Sequence, residues 1–168
     1  MKTTYLTNWI SDSVLKNDGQ LYSLTFRADK TVKNASALKQ SVWSHSQTQS
    51  VQLVYKALDW TITEMSRKFK EMKFVAFEGG DETYGTYGHF HGLLQIGDDR
   101  DAVAIYEKMN YLWSRNLNKT LKTPVHGKIT YFTSTNRVAE YASYCQRFEG
   151  QTLLSGSEKV LVSRSLRL

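Results

Sequence analysis

Between Val51 and Phe69 the apolar residues recur at spacings of three, four and seven, and this periodicity constrains the fold more than any other feature of the chain. It places these residues on one side of an α-helix, because about 3.6 residues make one turn. Segments on both sides of the helix are rich in β-branched and aromatic residues or alternate apolar with polar ones, which indicates strands. The chain must therefore combine a sheet with helices that each bury one apolar face.

The other elements follow from the same patterns. Strands are predicted at Leu21–Arg27, Lys73–Glu78, His89–Ile96 and Val125–Thr133. A second helix is predicted from about Arg100 to Leu117, with core residues Val103, Tyr106, Met109, Tyr111, Leu112 and Trp113. A third helix is predicted from Asn136 to about Phe148, a hairpin tip at Gly79–Gly88, and either a short strand or part of a tail at Val160–Val162. This order predicts an α+β fold with a central antiparallel β-sheet and flanking helices.

Length and composition limit the classes of function. The chain has 168 residues, which suits one domain over residues 1–168, and its net charge of +6 favours polyanionic partners. Cys145 is the only cysteine, which excludes an intrachain disulfide and a cysteine-rich zinc site and fits a reducing, intracellular compartment. No apolar stretch approaches the length of a membrane-spanning helix, so no membrane partner is expected.

The segment Gly88–Ile96 carries the chemically most specific pattern, His-Phe-His. Residues two apart on a strand share a face, so His89 and His91 project side by side while Phe90 faces apolar packing. Two imidazoles on one strand face can bind a single metal ion, although a bare His-x-His is more often a surface or packing feature. Gly92 is expected to leave room beside the site.

A carboxylate precedes the glycine-rich turn. If Lys73–Glu78 pairs with the histidine strand, Glu78 can lie beside it and serve as a third ligand; otherwise Glu78 is a solvated strand end. Two imidazoles and one carboxylate would suit Mg²⁺ or Mn²⁺ acting on phosphate groups.

Two tyrosines on the predicted third helix are candidate nucleophiles. Tyr141 and Tyr144 are three residues apart and share a helix face, and Arg147 lies one turn after Tyr144. Arg147 could supply charge to a phosphate or to a leaving oxygen. Either tyrosine alone is more often a packing residue.

Together, a His-apolar-His strand followed by a Tyr-x-x-Lys-like helix resembles the HUH endonuclease family, in particular rolling-circle replication initiators. The run Tyr144–Gly150 is similar to the Tyr-Cys-x-Lys-Glu-Gly segment of circovirus-like initiators, with Arg147 in the position of the lysine. Leu24–Arg27 resembles their first motif. The motif-bearing core covers about residues 21–150, and the resemblance implies a fold related to ferredoxin-like or RNA-recognition sandwiches.

The resemblance implies a specific activity. His89, His91 and Glu78 would hold Mg²⁺ or Mn²⁺, and Tyr144 would nick single-stranded DNA at a replication origin or hairpin through a 5′-phosphotyrosine, then rejoin it. Tyr141 stays open as the alternative nucleophile. The expected location is the bacterial cytoplasm, or the host nucleus if the chain is from a eukaryotic virus.

Two alternatives to replication initiation stay open. A single-tyrosine transposase would use the same chemistry, and a dimer that exchanges tyrosine helices would favour it. A non-catalytic nucleic-acid-binding module would instead expose aromatic residues on its sheet and need no metal.

Overall fold

The computed structural model describes residues 20–30, 47–79, 86–97, 101–122, 125–137, 140, 143–144 and 160–166. Within these ranges the strands are β1 (Gln20–Lys30), β2 (Lys73–Glu78), β3 (Thr86–Ile96), β4 (Val125–Ser134) and β5 (Val160–Val162). The helices are α1 (Gln47–Lys68) and α2 (Ala102–Leu121), and a single 3₁₀ turn spans Arg164–Leu166. The predicted strands and the first two helices are thus confirmed, with ends shifted by a few residues.

The five strands form one sheet in the order β4-β1-β3-β2-β5. Each pair of neighbours is antiparallel. The central antiparallel sheet with flanking helices is therefore confirmed. Val160–Val162, for which the sequence left a strand and a tail open, is a strand at the edge of the sheet, paired with β2.

Both helices pack on one face of the sheet, which we call the core face. Phe26 lies at its centre, in edge-to-face contact with Phe74 at 5.7 Å and with Trp113 of α2 at 5.3 Å between ring centroids. The periodic apolar residues of α1 cover the same core: Val51, Val54, Leu58, Ile62 and Met65 are buried. Burial of this helix stripe against the strands stabilises the fold.

The predicted core of α2 is wrong at two positions. Val103 is 68% exposed and Tyr111 59% exposed. At about 100° per residue, both fall on the side of the helix opposite Ile105 and Met109, so they cannot reach the sheet. Tyr111 instead lies between two cations, Lys108 and Arg115.

The opposite face of the sheet, which we call the site face, bears the histidines. Strand alternation assigns Leu24 and Phe26 of β1 to the core face and Thr25 and Arg27 to the site face. The site face is itself largely covered: among its described residues, Val75, Phe77 and Leu93 are all less than 5% exposed.

Five residues of the predicted third helix are described. Asn136 and Arg137 are not helical, so the predicted start at Asn136 is wrong, whereas Glu140, Ser143 and Tyr144 have helical backbone. The rest of that helix, including Tyr141 and Arg147, and most of the predicted hairpin tip lie outside the described residues. None of the helices in the described ranges combines the length and apolarity that a bilayer crossing requires.

Candidate active site

His89 and His91 lie on β3, the middle strand of the sheet. His91 is paired with Thr25 of β1 on one side and Phe77 of β2 on the other, and His89 is paired with Arg27. The intervening Phe90 packs in the apolar core, as the alternation predicts. Both histidines are buried, with 7% and 9% of their surfaces exposed.

The two imidazoles converge through their Nε2 atoms, which are 3.2 Å apart. The ring planes are nearly perpendicular, at 89°. Two nitrogen ligands bound at about 2.1 Å lie about 3.0 Å apart at a right angle and about 3.4 Å apart at a tetrahedral angle. The spacing of the Nε2 atoms is that of a hydrogen bond between the two rings, and it also fits two ligands that share one metal ion.

Thr25 orients the second imidazole. Its Oγ1 lies 3.2 Å from Nδ1 of His91, and the threonine is 7% exposed. When the hydroxyl accepts a hydrogen bond from Nδ1–H, the lone pair of the ring is on Nε2, where a metal would bind. The sequence analysis named Leu24–Arg27 only as a motif-bearing strand and did not identify this contact.

Gly79 makes room for the first imidazole. A β-carbon at position 79 would lie 2.0 Å from Nε2 of His89, and the Gly79 amide donates a 2.9 Å hydrogen bond to the carbonyl of His89. The expectation that Gly92 leaves this room is wrong, because Gly92 faces the core and a β-carbon there would meet Phe74 at 2.9 Å.

Tyr144 lies against the histidine pair. Its ring centroid is 5.4 Å from that of His91, in an edge-to-face arrangement at 81°, and its side chain is 40% exposed. The structure therefore brings together three of the residues singled out from the sequence: His89, His91 and Tyr144. Tyr141 and Arg147, the other candidates on this segment, lie outside the described residues.

Glu78 lies on the strand beside the histidine strand, as the sequence predicts. β2 does pair with β3, and Glu78 is buried at 3% exposure, but its partner in the ladder is Phe90. Paired residues of an antiparallel ladder share a face, so this register assigns Glu78 to the face of Phe90. Within the described ranges, no three or more His, Cys, Asp or Glu side chains group so that they could hold a metal ion. His89 and His91 form a pair, and Glu78 as their third ligand stays a prediction from the sequence.

Cations extend the site face towards the sheet edge. Arg27 is opposite His89 on one side and Lys128 of β4 on the other. Lys128 is exposed. These three residues thus form a row from the imidazole pair to solvent. The positive charges of Arg27 and Lys128 suit a polyanion.

No family model matches this chain, and no curated protein or solved structure matches it.

Proposed function

We propose that this protein nicks and rejoins single-stranded DNA through a covalent phosphotyrosine, as HUH-type replication initiators do. The observation that carries the proposal is the contact of Tyr144 with His91, whose Nε2 converges with that of His89. A nucleophile candidate beside two imidazoles at metal-ligand spacing is a combination that packing alone does not require.

His89 and His91 would hold a divalent ion, Mg²⁺ or Mn²⁺, through Nε2, with Thr25 fixing the orientation of His91. When bound, such an ion polarises a phosphoryl oxygen and offsets the negative charge that develops on it. Two imidazoles leave coordination positions for phosphate oxygens and for a third protein ligand. Glu78 as that ligand stays a prediction from the sequence.

Tyr144 would attack the phosphorus atom. A phenol is a weak nucleophile until it loses its proton, so the proton leaves as the bond between the phenolic oxygen and phosphorus forms. The bond to the 3′ oxygen breaks, and that oxygen takes up a proton to give a free 3′-hydroxyl. The 5′-phosphotyrosine preserves the phosphodiester energy, and attack by a 3′-hydroxyl reverses the step and rejoins the strand.

Arg147 follows Tyr144 by one helical turn in the sequence. We propose that its guanidinium binds the scissile phosphate, because a planar bidentate donor matches two phosphate oxygens. Phe77, the described phenylalanine on the site face of β2, is 4% exposed and therefore offers no aromatic platform beside His91.

The direct test is formation of a covalent adduct. The protein is incubated with a pool of single-stranded DNA of randomised sequence and Mn²⁺, then resolved on a denaturing gel. We expect a DNA-linked band that disappears with Tyr144→Phe, since this change removes only the hydroxyl. Tyr141→Phe is the matched control and should retain the adduct.

Peptide mapping of the adduct by mass spectrometry identifies the linked residue. DNA on Tyr141, or on both tyrosines in turn, would contradict the single nucleophile. His91→Ala should abolish the adduct while most DNA binding remains, and no adduct with the unmodified chain would overturn the proposed function.

A further inference from the structure

The ladder between β1 and β4 contains a bulge. Ser23 is paired with Thr133 and Thr25 with Thr130, so Tyr131 and Phe132 together face the single residue Leu24. Tyr131 has a backbone φ of 57°, in the left-handed region. Bulges of this kind usually place glycine there, because a β-carbon clashes with the neighbouring carbonyl.

Core packing accounts for the bulge. Phe132 stacks on Tyr22 at 4.7 Å between ring centroids and lies 5.1 Å from Tyr106. Ile129, three residues earlier, is also buried in the core. In a regular strand residues three apart point to opposite faces, so one extra residue is needed for both to face inward.

The same packing does not account for a tyrosine at the extra position. Tyr131 is 75% exposed, the most exposed of the large hydrophobic side chains in the described ranges. Glycine or asparagine would make the bulge with less backbone strain. An aromatic ring is thus held in solvent at a strained backbone position, and strained positions cluster at binding and active sites.

The position of the bulge relates the backbone of Tyr131 to the strand that carries the histidine pair. Tyr131 follows Thr130, which is opposite Thr25, which in turn is opposite His91. Two strand spacings of about 4.8 Å therefore separate the backbone of Thr130 from that of His91. Lys128 lies on the same strand and is exposed. Exposed aromatic rings beside cations bind single strands, because bases stack on the rings while the cations meet phosphates.

We propose that Tyr131 is a stacking platform for a nucleobase of the single strand that the His89–His91 centre acts on. This inference rests on the proposed function and adds a base-binding residue to it. The group that contacts the Tyr131 ring is identified as a base rather than a phosphate. Binding through Tyr131 should therefore depend on the presence of bases in the ligand.

Two probes separate bases from phosphates: a fluorescent oligothymidylate of about 15 nucleotides and an abasic deoxyribose-phosphate strand of equal length. We expect Tyr131→Gly to weaken binding of the oligothymidylate by about 5- to 150-fold in fluorescence anisotropy. Tyr131→Phe should bind like the unmodified chain. The abasic strand should bind Tyr131→Gly and the unmodified chain equally.

Two controls match the variant. Tyr111→Ala removes a similarly exposed tyrosine from α2 and should leave oligothymidylate binding unchanged. Lys122→Gly relieves backbone strain at the other non-glycine residue with positive φ in the described ranges, where φ is 52°. Neither Tyr131→Gly nor Lys122→Gly should lower the thermal unfolding midpoint, because glycine accepts this backbone conformation.

Unchanged binding of oligothymidylate by Tyr131→Gly, or an equal loss for both probes, would overturn the stacking role. The adduct assay separates this outcome from failure of the proposed function. If the unmodified chain forms no adduct but Tyr131→Gly still loses base-dependent binding, the nicking activity fails and the platform stands. If the adduct forms and Tyr131→Gly binds oligothymidylate normally, the nicking activity stands and the stacking role of Tyr131 fails.

Discussion

The imidazole of His89 occupies the space in which a larger residue at position 79 would place its β-carbon. Because that β-carbon would lie 2.0 Å from Nε2, an alanine at this position must displace the ring. The absence of a side chain at Gly79 therefore leaves the space that Nε2 of His89 occupies.

We expect Gly79→Ala to retain the fold but to lose Mn²⁺ binding and to slow adduct formation by about 100-fold, because misplacing a reacting group by 1 Å costs about that much. Calorimetric titration with Mn²⁺ measures the first effect and a gel time course the second. Gly97→Ala is the control, since the atom it would approach is the mobile Oε2 of Glu71, at 3.0 Å. Normal Mn²⁺ affinity in Gly79→Ala would contradict the assigned geometry.

At the scale of residues, alternation along one strand was sufficient to pair His89 with His91. The same alternation places Gly92 on the opposite face, with Phe90 and Leu24. The contacts of Thr25 and Gly79 with the two histidines depend instead on the register between strands. The face on which Glu78 lies depends on the same register. That register is set by turn geometry and packing, which a local pattern does not contain.

At the scale of elements, a polar network joins α1 to α2. Arg115 donates to both carboxylate oxygens of Glu64 at 2.5 and 2.7 Å. The buried Asn116 donates to Thr61 at 3.1 Å and to Glu64 at 3.3 Å. The hydrogen bond from Arg115 lowers the pKa of the Glu64 carboxyl below its ordinary range. The periodicity of the apolar residues predicted α1. No local pattern in the sequence predicts that Glu64 of α1 pairs with Arg115 and Asn116 of α2.

We expect Glu64→Gln to lower the free energy of unfolding by about 0.2–1 kcal/mol at neutral pH, because the ion pair is partly exposed to solvent. A lowered pKa in the folded state means that folding favours the ionised form. Its contribution is therefore present above the ordinary carboxyl pKa of about 4.3 and is lost as the pH falls through the lower folded value. Urea unfolding at about pH 7 and about pH 2 measures this difference.

The control for this prediction is Glu107→Gln, which removes an exposed carboxylate from α2. It should leave the free energy of unfolding nearly unchanged at either pH. A Glu64→Gln deficit that persists undiminished in acid would argue against the ion pair as its source.

At the scale of the whole molecule, α1 and α2 lie on one face of the sheet and the histidines lie on the other. The sequence predicted this layered α+β architecture because it depends on the order of periodic segments. It did not predict that the site face would also be buried, since residues such as Val75 and Leu93 are equally compatible with either face.

The net charge of +6 leads to a prediction about binding. Affinity for single-stranded DNA should exceed that for blunt duplex and should fall at least about tenfold between about 50 and 200 mM salt, as counterions are released. Lys128→Gln should reduce the slope of log affinity against log salt by about one. Fluorescence anisotropy across a salt series tests both, and equal salt-independent affinity for the two DNA forms would contradict them.

The histidines lie on the third of five strands, with a paired neighbour on either side. Edge strands of a sheet open most readily, whereas a central strand separates only when both of its neighbours release it. Amide hydrogens of β3 should accordingly exchange with solvent at the slowest rates in the domain. Fraying at either edge of the sheet would leave the spacing of the two imidazoles intact, so the pair should persist for as long as the chain is folded at all.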